Sequence, residues 1–323
     1  MSLLLTGATG FLGRNILLRV LSEDREVFAP VRSPDKLSGQ LQFEKQAGRR
    51  VRVLSAVPSQ WPRITPDCAI LGGGVLFERT RSDYFRTNVD WTLATLRALP
   101  ETCRTVVISS QSAGGPTPPG KPSRTEADPD APITWYGESK LAMEESIRRE
   151  FPDRPITILR PPMILGPRDS ATLPLFRMAR GRVRMKPGLR SKTYSFIAVD
   201  DFVAAIFLAL EGEPLAQSCY VTSPYPMTDW QLIASAATAS GARGLTLPVP
   251  QPFVRMLSRV VDASPALRAQ TPSLTRDRAR EIWLDRWVLD GSKFEQLTGW
   301  RAKTGFRDAL QAARNYYVRE GKL

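Results

Sequence analysis

The run Thr6-Gly7-Ala8-Thr9-Gly10-Phe11-Leu12-Gly13 restricts the possible folds of this chain more than any other stretch. An apolar segment, Leu3-Leu4-Leu5, precedes it, and Ile16, Leu17, Val20 and Leu21 follow at helical spacing. A strand that turns through glycine straight into a helix presents backbone N–H groups and the positive end of the helix dipole to a pyrophosphate. Glycine suits such a turn because positive φ costs it little and no Cβ stands between backbone and phosphate. Gly7, Thr9, Gly10, Phe11 and Leu12 are therefore the first candidates for contact with a bound nucleotide. The spacing differs from G-x-G-x-x-G, and a glycine turn can exist with no ligand at all. What raises its meaning is a second motif far downstream, Tyr136-Gly137-Glu138-Ser139-Lys140.

Tyrosine and lysine four residues apart on a helix lie one above the other. A phenol titrates near ~10 and is a poor acid or base at neutral pH. A neighbouring ammonium favours the phenolate, as does the positive charge of an oxidised nicotinamide. Such a pair can give or take the proton that accompanies hydride transfer to or from carbon. Upstream, Thr105-Val106-Val107-Ile108-Ser109-Ser110 reads as a buried parallel strand ending in two hydroxyls. Ligands gather at the carboxyl ends of such strands, which places Ser110 within reach of a substrate oxygen.

With these motifs in place, the chain resembles the extended short-chain dehydrogenase/reductase superfamily, the NAD-dependent epimerase/dehydratase family, over nearly its whole length. The resemblance rests on the glycine run, Asn88-Val89, Ser109-Ser110, the Tyr136–Lys140 motif, Leu159-Arg160-Pro161 with Gly166-Pro167, and Val199-Asp200-Asp201. It implies that Tyr136 is the acid/base, that Lys140 lowers its pKa and binds the nicotinamide ribose, and that Ser110 polarises the substrate oxygen. Ser110 is preferred to Ser109 or Ser112 because it lies five residues before Gly115, where the family places its hydroxyl. Asn88, in an Asn88-Val89-Asp90-Trp91-Thr92 version of the family's N-V-x-G-T, is expected to support this geometry. Gly72, Gly73 and Pro161 join the expected cofactor contacts. A homodimer packed through the Tyr136 helix is a family-level expectation.

Composition narrows the chemistry further. The chain has no histidine, so Ser-His-Asp hydrolysis and histidine-based zinc sites are excluded. Cys68, Cys103 and Cys219 show no paired spacing and read as reduced packing residues; no metal is expected. An acid/base for neutral pH must then be a shifted Tyr, Lys or carboxylate, which agrees with Tyr136. The longest apolar stretch, 202–210, is far short of the ~20 residues a bilayer-spanning helix needs. No secretory leader is visible, and a cytoplasmic location is expected. The net charge of +13 suits nucleic acid, anionic lipid or a phosphorylated substrate. Because its 45 basic and 32 acidic residues are interspersed, no nucleic-acid partner is expected.

Apolar runs alternate with helical stretches through the first half, the pattern of an α/β, Rossmann-type doubly wound parallel sheet. Strands are expected at 2–5, 26–31, 51–54, 68–71, 105–109 and 156–160, with 220–222 returning to the sheet. Pro30 is awkward inside a central strand because it cannot donate a ladder bond, unless it marks the strand's end. Segment 112–134 reads as a surface loop leading into the Tyr136 helix. Residues 1–165 with 193–222 are expected to form the NAD(P)-binding domain. Residues 166–192 with 223–323 are expected to form a smaller α+β substrate domain.

The end of the second strand bears on the cofactor. An acidic residue there pairs with a ribose 2′-hydroxyl, whereas an arginine accommodates a 2′-phosphate. This chain has Arg32-Ser33 at that place and Lys36 one turn on, which favours NADP, with NAD the alternative if Asp35 reaches the ribose. Two departures from the family pattern follow. Ser55-Ala56 stands where a Gly-Asp usually follows the third strand, and Leu71-Gly72-Gly73-Gly74 replaces H-L-A-A. Met163 and Tyr194 also stand where nucleotide-sugar members carry asparagine and arginine.

Arg160-Pro161-Pro162-Met163 looks more like the 3β-hydroxysteroid dehydrogenase and dihydroflavonol reductase branches, whose substrates are large apolar alcohols and ketones. Phe176, Met178, Met185, Phe253, Met256 and Leu257 are candidates to line such a pocket, plain core being the alternative. The arginine-rich stretch 171–192 reads as a solvated loop, with an anionic substrate as the competing idea. The basic, apolar run 252–261 has the pattern of a membrane-touching helix, but an ordinary amphipathic core helix shares it. The reading is an NAD(P)-dependent oxidoreductase interconverting a secondary alcohol and a ketone on a largely apolar small molecule. The alternatives are an epimerase or dehydratase of a sugar-type substrate that keeps its NAD, and a dinucleotide- or RNA-binding regulator without turnover.

Overall fold

A computed structural model describes residues 2–23, 25–41, 50–270, 275 and 277–323. Six strands alternate with helices along the first half: β1 (Ser2–Thr6), β2 (Glu26–Val31), β3 (Val51–Ser55), β4 (Cys68–Leu71), β5 (Arg104–Ile108) and β6 (Ile156–Arg160). Four short strands then lie outside the main sheet: β7 (Met163–Leu165), β8 (Val183–Pro187), β9 (Thr193–Tyr194) and β10 (Phe196–Ala198). β11 (Cys219–Tyr220) returns to complete a seven-stranded sheet in the order β11-β6-β5-β4-β1-β2-β3. Every pairing in it is parallel. The chain runs outward from β1 to β3 and resumes at β4 on the other side of β1. The gap between β1 and β4 is thus the point where strand order reverses, and a crevice opens there at the carboxyl ends.

The strand sequences follow from burial on both faces. Leu3 and Leu5 enter one apolar cluster, with the helices Phe11–Ser22 and Val199–Glu211, while Leu4 points into the other. Val106 and Ile108 repeat the alternation against Val107. A strand clad on both sides reads as a continuous apolar run because period two then selects a face rather than a polarity. Pro30 lies inside β2 opposite Leu54 of the edge strand, beyond the last pair of β2 with β1 (Leu4–Phe28). Its missing donor therefore falls where β2 has parted from β1. All three cysteines are free and buried, and burial pushes the thiols of Cys68, Cys103 and Cys219 up to about 12, 11 and 11.

A third apolar cluster joins the helices Leu173–Ala179, Asp229–Ala239 and Phe306–Arg319 to β7 and β10. β10 serves two cores, since Ile197 enters the sheet's cluster while Phe196 and Ala198 enter this one. The smaller part also carries β12 (Met227–Thr228), β13 (Leu245–Val249) and β14 (Arg286–Trp287). β12, β9 and β14 form one small sheet; β13 pairs with β8 in another. We propose that the two lobes divide at β7 and β10, as the sequence suggested, with 1–165 and 193–222 on the nucleotide side.

Segment 112–134 differs from the expected surface loop. Thr117, Arg124 and Asp128 are buried. Arg124 donates to the carbonyls of Pro116 (2.9 Å) and Pro129 (3.0 Å), and its amide bonds Val288 (2.8 Å). The prolines and charges that suggested solvent satisfy one another inside the segment instead. Among the described residues, no helix is long and apolar enough to cross a membrane, and no group of His, Cys, Asp or Glu could hold a metal ion.

Candidate active site at the carboxyl edge of the sheet

The glycine run forms a tight cradle between β1 and β4. Gly7 has φ of +72°, and a Cβ there would lie 2.9 Å from the carbonyl oxygen of Gly72. A Cβ on Gly13 would lie 2.1 Å from the Gly7 oxygen, so glycine is required for the helix to pack this close to the turn. Gly10, whose amide donates to Gly7 O at 2.8 Å, is the N-cap of Phe11–Ser22 and provides no side-chain cap. No acidic residue stands in the first turn. The helix N-terminus thus faces the crevice with its dipole unopposed, the environment a pyrophosphate needs. Gly72 and Gly73 close the other side, and the Gly73 amide is held by Thr6 Oγ1 at 2.8 Å. These residues fit a dinucleotide.

Tyr136 and Lys140 lie on the helix Trp135–Glu150, whose N-cap Thr134 accepts from the Gly137 amide. Three serines near the end of β5 have three different partners. Ser109 Oγ donates to the buried Glu144 at 2.5 Å, and Ser112 Oγ donates to Glu281 at 3.2 Å. Ser110 lies beside the Tyr136 phenol, and its oxygen accepts from the Ser112 amide at 3.1 Å. Desolvation holds the phenol above its usual range; the Ser110 hydroxyl and then the guanidinium of Arg278 oppose that rise. Lys140 Nζ donates to Ile108 O at 2.9 Å, and burial pushes the ammonium down to about 8 against the raising effect of Glu144.

Asn88 is fully buried. It accepts from the Val75 amide at 2.9 Å and donates to Ser139 Oγ at 2.9 Å, tying the loop after β4 to the Tyr136 helix. The helical run 81–97 opens into a π turn at Arg86–Asp90, which carries Asn88. A Cβ on Gly74 would lie 3.0 Å from Asn88 Oδ1 and 3.3 Å from Lys140 Nζ, so Gly74 admits both side chains.

Sequence reading missed the cover over Tyr136. Arg278 places its guanidinium 5.1 Å from the Tyr136 ring centroid, and the Tyr84 ring lies 6.3 Å away. Asp277 accepts from the Trp135 amide at 3.2 Å, and Glu281 accepts from Thr134 Oγ1 at 3.0 Å while pairing with Arg278 at 3.0 Å. One short segment of the smaller lobe therefore clamps the start of the catalytic helix and sets a cation over its tyrosine. No motif announces this, because the partners are distant in the chain.

A second missed link joins the two departures from the family pattern. Trp91 Nε1 donates to Ala56 O at 2.6 Å, and a Cβ on Gly73 would lie 2.8 Å from the Trp91 ring. The glycine after β4 thus makes room for an indole that bonds the loop after β3.

The remaining candidates separate. Pro161 is buried at the end of β6, and its carbonyl accepts from Gln111 at 2.9 Å. Arg32 is exposed just past β2. The apolar set proposed for a pocket does not converge. Phe176 is fully buried in the third core, while Met185, Phe253 and Met256 face solvent. Their sequence spacing fixed a face of each element without saying what that face meets. The arginine-rich stretch is not one solvated loop either, because Arg184, Lys186 and Lys192 are buried within it. Beside Tyr136 a cavity of about 420 Å³ is lined by Tyr84, Trp135, Asp262, Asp277 and Arg280, among others.

Residues 3–217 match the model of the NAD dependent epimerase/dehydratase family. The chain is 27% identical to a ceramide reductase of Caulobacter vibrioides over 331 residues, covering 99% of this chain and 95% of the relative. It is 25% identical to the ketoreductase azaE of Aspergillus niger over 194 residues, 51% of this chain and 57% of that one. Among solved structures, the Bordetella bronchiseptica enzyme WbmG in complex with NAD and UDP gives a TM-score of 0.79 at 19% identity, covering 99% of this chain and 96% of that one. A UDP-glucose 4-epimerase of Thermotoga maritima with UDP-glucose gives 0.76 at 19% identity, covering 99% of each chain. At that identity the two structures establish the fold.

Proposed function

We propose that this chain, which belongs to the NAD dependent epimerase/dehydratase family and is an enzyme of the extended short-chain dehydrogenase/reductase type, reduces a ketone on a large, mostly apolar, lipid-like molecule with NADPH. The placing of Ser110 beside a half-buried Tyr136, one turn from the buried Lys140, carries the reaction class. A bound dinucleotide supplies the hydride that adds to the carbonyl carbon. Tyr136, kept neutral by burial, holds the proton that goes to the carbonyl oxygen, and Ser110 orients that oxygen. The phenolate left behind regains its proton from solvent. Gly7, Gly10 and the first-turn amides of Phe11 and Leu12 would hold the pyrophosphate, and Lys140 the nicotinamide ribose. The full-length likeness to a ceramide reductase, with Met163 and Tyr194 in place of the nucleotide-sugar residues, supports the substrate class. The retained proton-transfer set and the family membership set aside a binder without turnover.

The direct test follows NADPH oxidation with long-chain ketones, 3-ketoceramide among them, alongside UDP-glucose epimerisation. Consumption of NADPH with the ketone alone supports the reading. NAD that copurifies with the protein, together with epimerisation, would replace it with the NAD-retaining alternative.

Arg32 is the residue that supports NADP over NAD. Arg32→Ala is expected to lower the NADPH/NADH affinity ratio by about 10- to 100-fold, the scale of a lost hydrogen bond to a charged group. Fluorescence titration with each dinucleotide measures it, and an unchanged ratio would move the assignment to NAD with Asp35 at the ribose.

Lys140 sets a pH limit. With its ammonium pushed down to about 8, the dinucleotide-free protein loses that charge as pH rises through 8. Since kcat/KM reports groups of the free enzyme, kcat/KM for the dinucleotide is expected to hold steady below that pH and fall above it. A profile flat to pH 10 would show that Lys140 keeps its proton.

A further inference from the structure

The smaller lobe carries a ribbon turned inside out. β8 and β13 run parallel, with Leu245 beside Val183 and Leu247 beside Met185. Those four apolar side chains are 49–71% exposed. Between them Arg184 and Lys186 point inward and are buried. Arg184 donates to the carbonyls of Ala179, Ala242 and Gly244, and Lys186 pairs with Asp229 at 2.8 Å. A ribbon meant for water normally has the opposite polarity.

Pro250 leads from β13 directly into the helix Gln251–Ala263, which is apolar on two sides. Val254 and Val261 face the protein, while Phe253, Met256 and Val260, at helical spacing, are at least half exposed. Exposed apolar residues this concentrated mark an interaction surface.

Charge says what covers it. Segments 171–192 and 240–261, which contain the ribbon and the outer face of the helix, hold no Asp or Glu, and of their ten Arg and Lys residues all but the buried Arg184, Lys186 and Lys192 are at the surface. Arg180, Arg182, Arg243, Arg255 and Arg259 are exposed. A second copy would bring the same positive charge to the same face and be repelled. An apolar stripe flanked by arginines fits an anionic bilayer surface, where the stripe enters the acyl boundary and the cations meet headgroup phosphates.

The face also adjoins the site. Arg255, Ser258 and Arg259 line a cavity of about 450 Å³ with Arg280 and Trp283, and Arg280 also lines the cavity beside Tyr84 and Trp135. We propose that the outer faces of β8, β13 and the helix Gln251–Ala263 dock this protein on an anionic lipid surface. The inference stands on the surface alone and does not depend on the substrate reading.

The test is co-sedimentation of the full chain with vesicles of phosphatidylcholine, and of phosphatidylcholine mixed with phosphatidylglycerol. Partition into the mixed vesicles is expected to be at least about tenfold stronger and to weaken as salt rises. The double variant Phe253→Asp, Met256→Asp is expected to lose roughly tenfold or more of that partition with an unchanged melting temperature, since neither side chain is in a core. Arg255→Gln, Arg259→Gln should reduce the preference for anionic vesicles, and Tyr136→Phe should bind as the parent does. No partition into mixed vesicles would overturn the proposal. So would partition that ignores the Phe253/Met256 change, or a dimer that the same change dissociates while vesicles are not bound.

Discussion

Tyr136→Phe is expected to reduce turnover by about 10²- to 10⁴-fold, the usual contribution of a positioned general acid. Dinucleotide affinity should change little, because the glycine cradle between β1 and β4 is left untouched by the substitution. The argument is geometric. The phenol lies beside Ser110 and under Arg278, and a phenol is protonated near neutral pH even before desolvation raises its pKa further. Phenylalanine preserves the ring packing against Tyr84 and removes only the hydroxyl. Stopped-flow NADPH oxidation with parallel fluorescence titration separates the two quantities. Turnover within a fewfold of the parent would exclude Tyr136 as the proton donor.

The largest stability effect is expected from Glu144, one turn beyond Lys140 and fully buried. Its carboxylate accepts from Arg160 at 2.8 and 2.9 Å, from Ser109 at 2.5 Å and from Ser218 at 2.6 Å. Arg160 is balanced on its other side by Asp130, at 2.6 and 2.8 Å. Removing Glu144 leaves the buried Arg160 with Asp130 alone to balance it and strands the Ser109 and Ser218 hydroxyls. Glu144→Ala should therefore cost about 3–5 kcal/mol. For a chain of this size that corresponds to a fall in Tm of roughly 5–15 °C. Replacing both partners, Glu144→Leu with Arg160→Met, should recover part of the loss, since the charges left behind, Asp130 and Arg148, both reach solvent. A double variant less stable than Glu144→Ala would show that the network contributes more than charge balance. Glu144 also raises the Lys140 ammonium, so Glu144→Gln should move the alkaline fall in kcat/KM to lower pH.

The main sheet was legible because its signals are local. Leu3 to Leu5 show burial on both faces within three residues, and the glycine run specifies its own turn. Positions where the reading failed are those where an element's outer face meets something distant. Phe253 and Met256 have the spacing of pocket residues, yet spacing fixes only a helix face, and that face is turned outward. Segment 112–134 has the prolines and charges of a solvated loop, whereas Arg124 turns inward to the carbonyls of Pro116 and Pro129 as the segment packs along Val288 and Leu289.

The sequence by itself determined the α/β sheet, the glycine cradle and a tyrosine and lysine on one helix face. Each of these follows from backbone conformation and side-chain period over a few residues. Tertiary structure alone decided that Ser109 and Ser112 turn to Glu144 and Glu281, and that Arg278 is the cation above the tyrosine. It alone joined Trp91 to Ala56 and Gly73, and turned Arg184 and Lys186 inward while Met185 and Leu247 face out. Those outcomes depend on contacts between segments far apart in the chain, where burial and hydrogen-bond partners are set by packing and leave no periodic trace in the sequence.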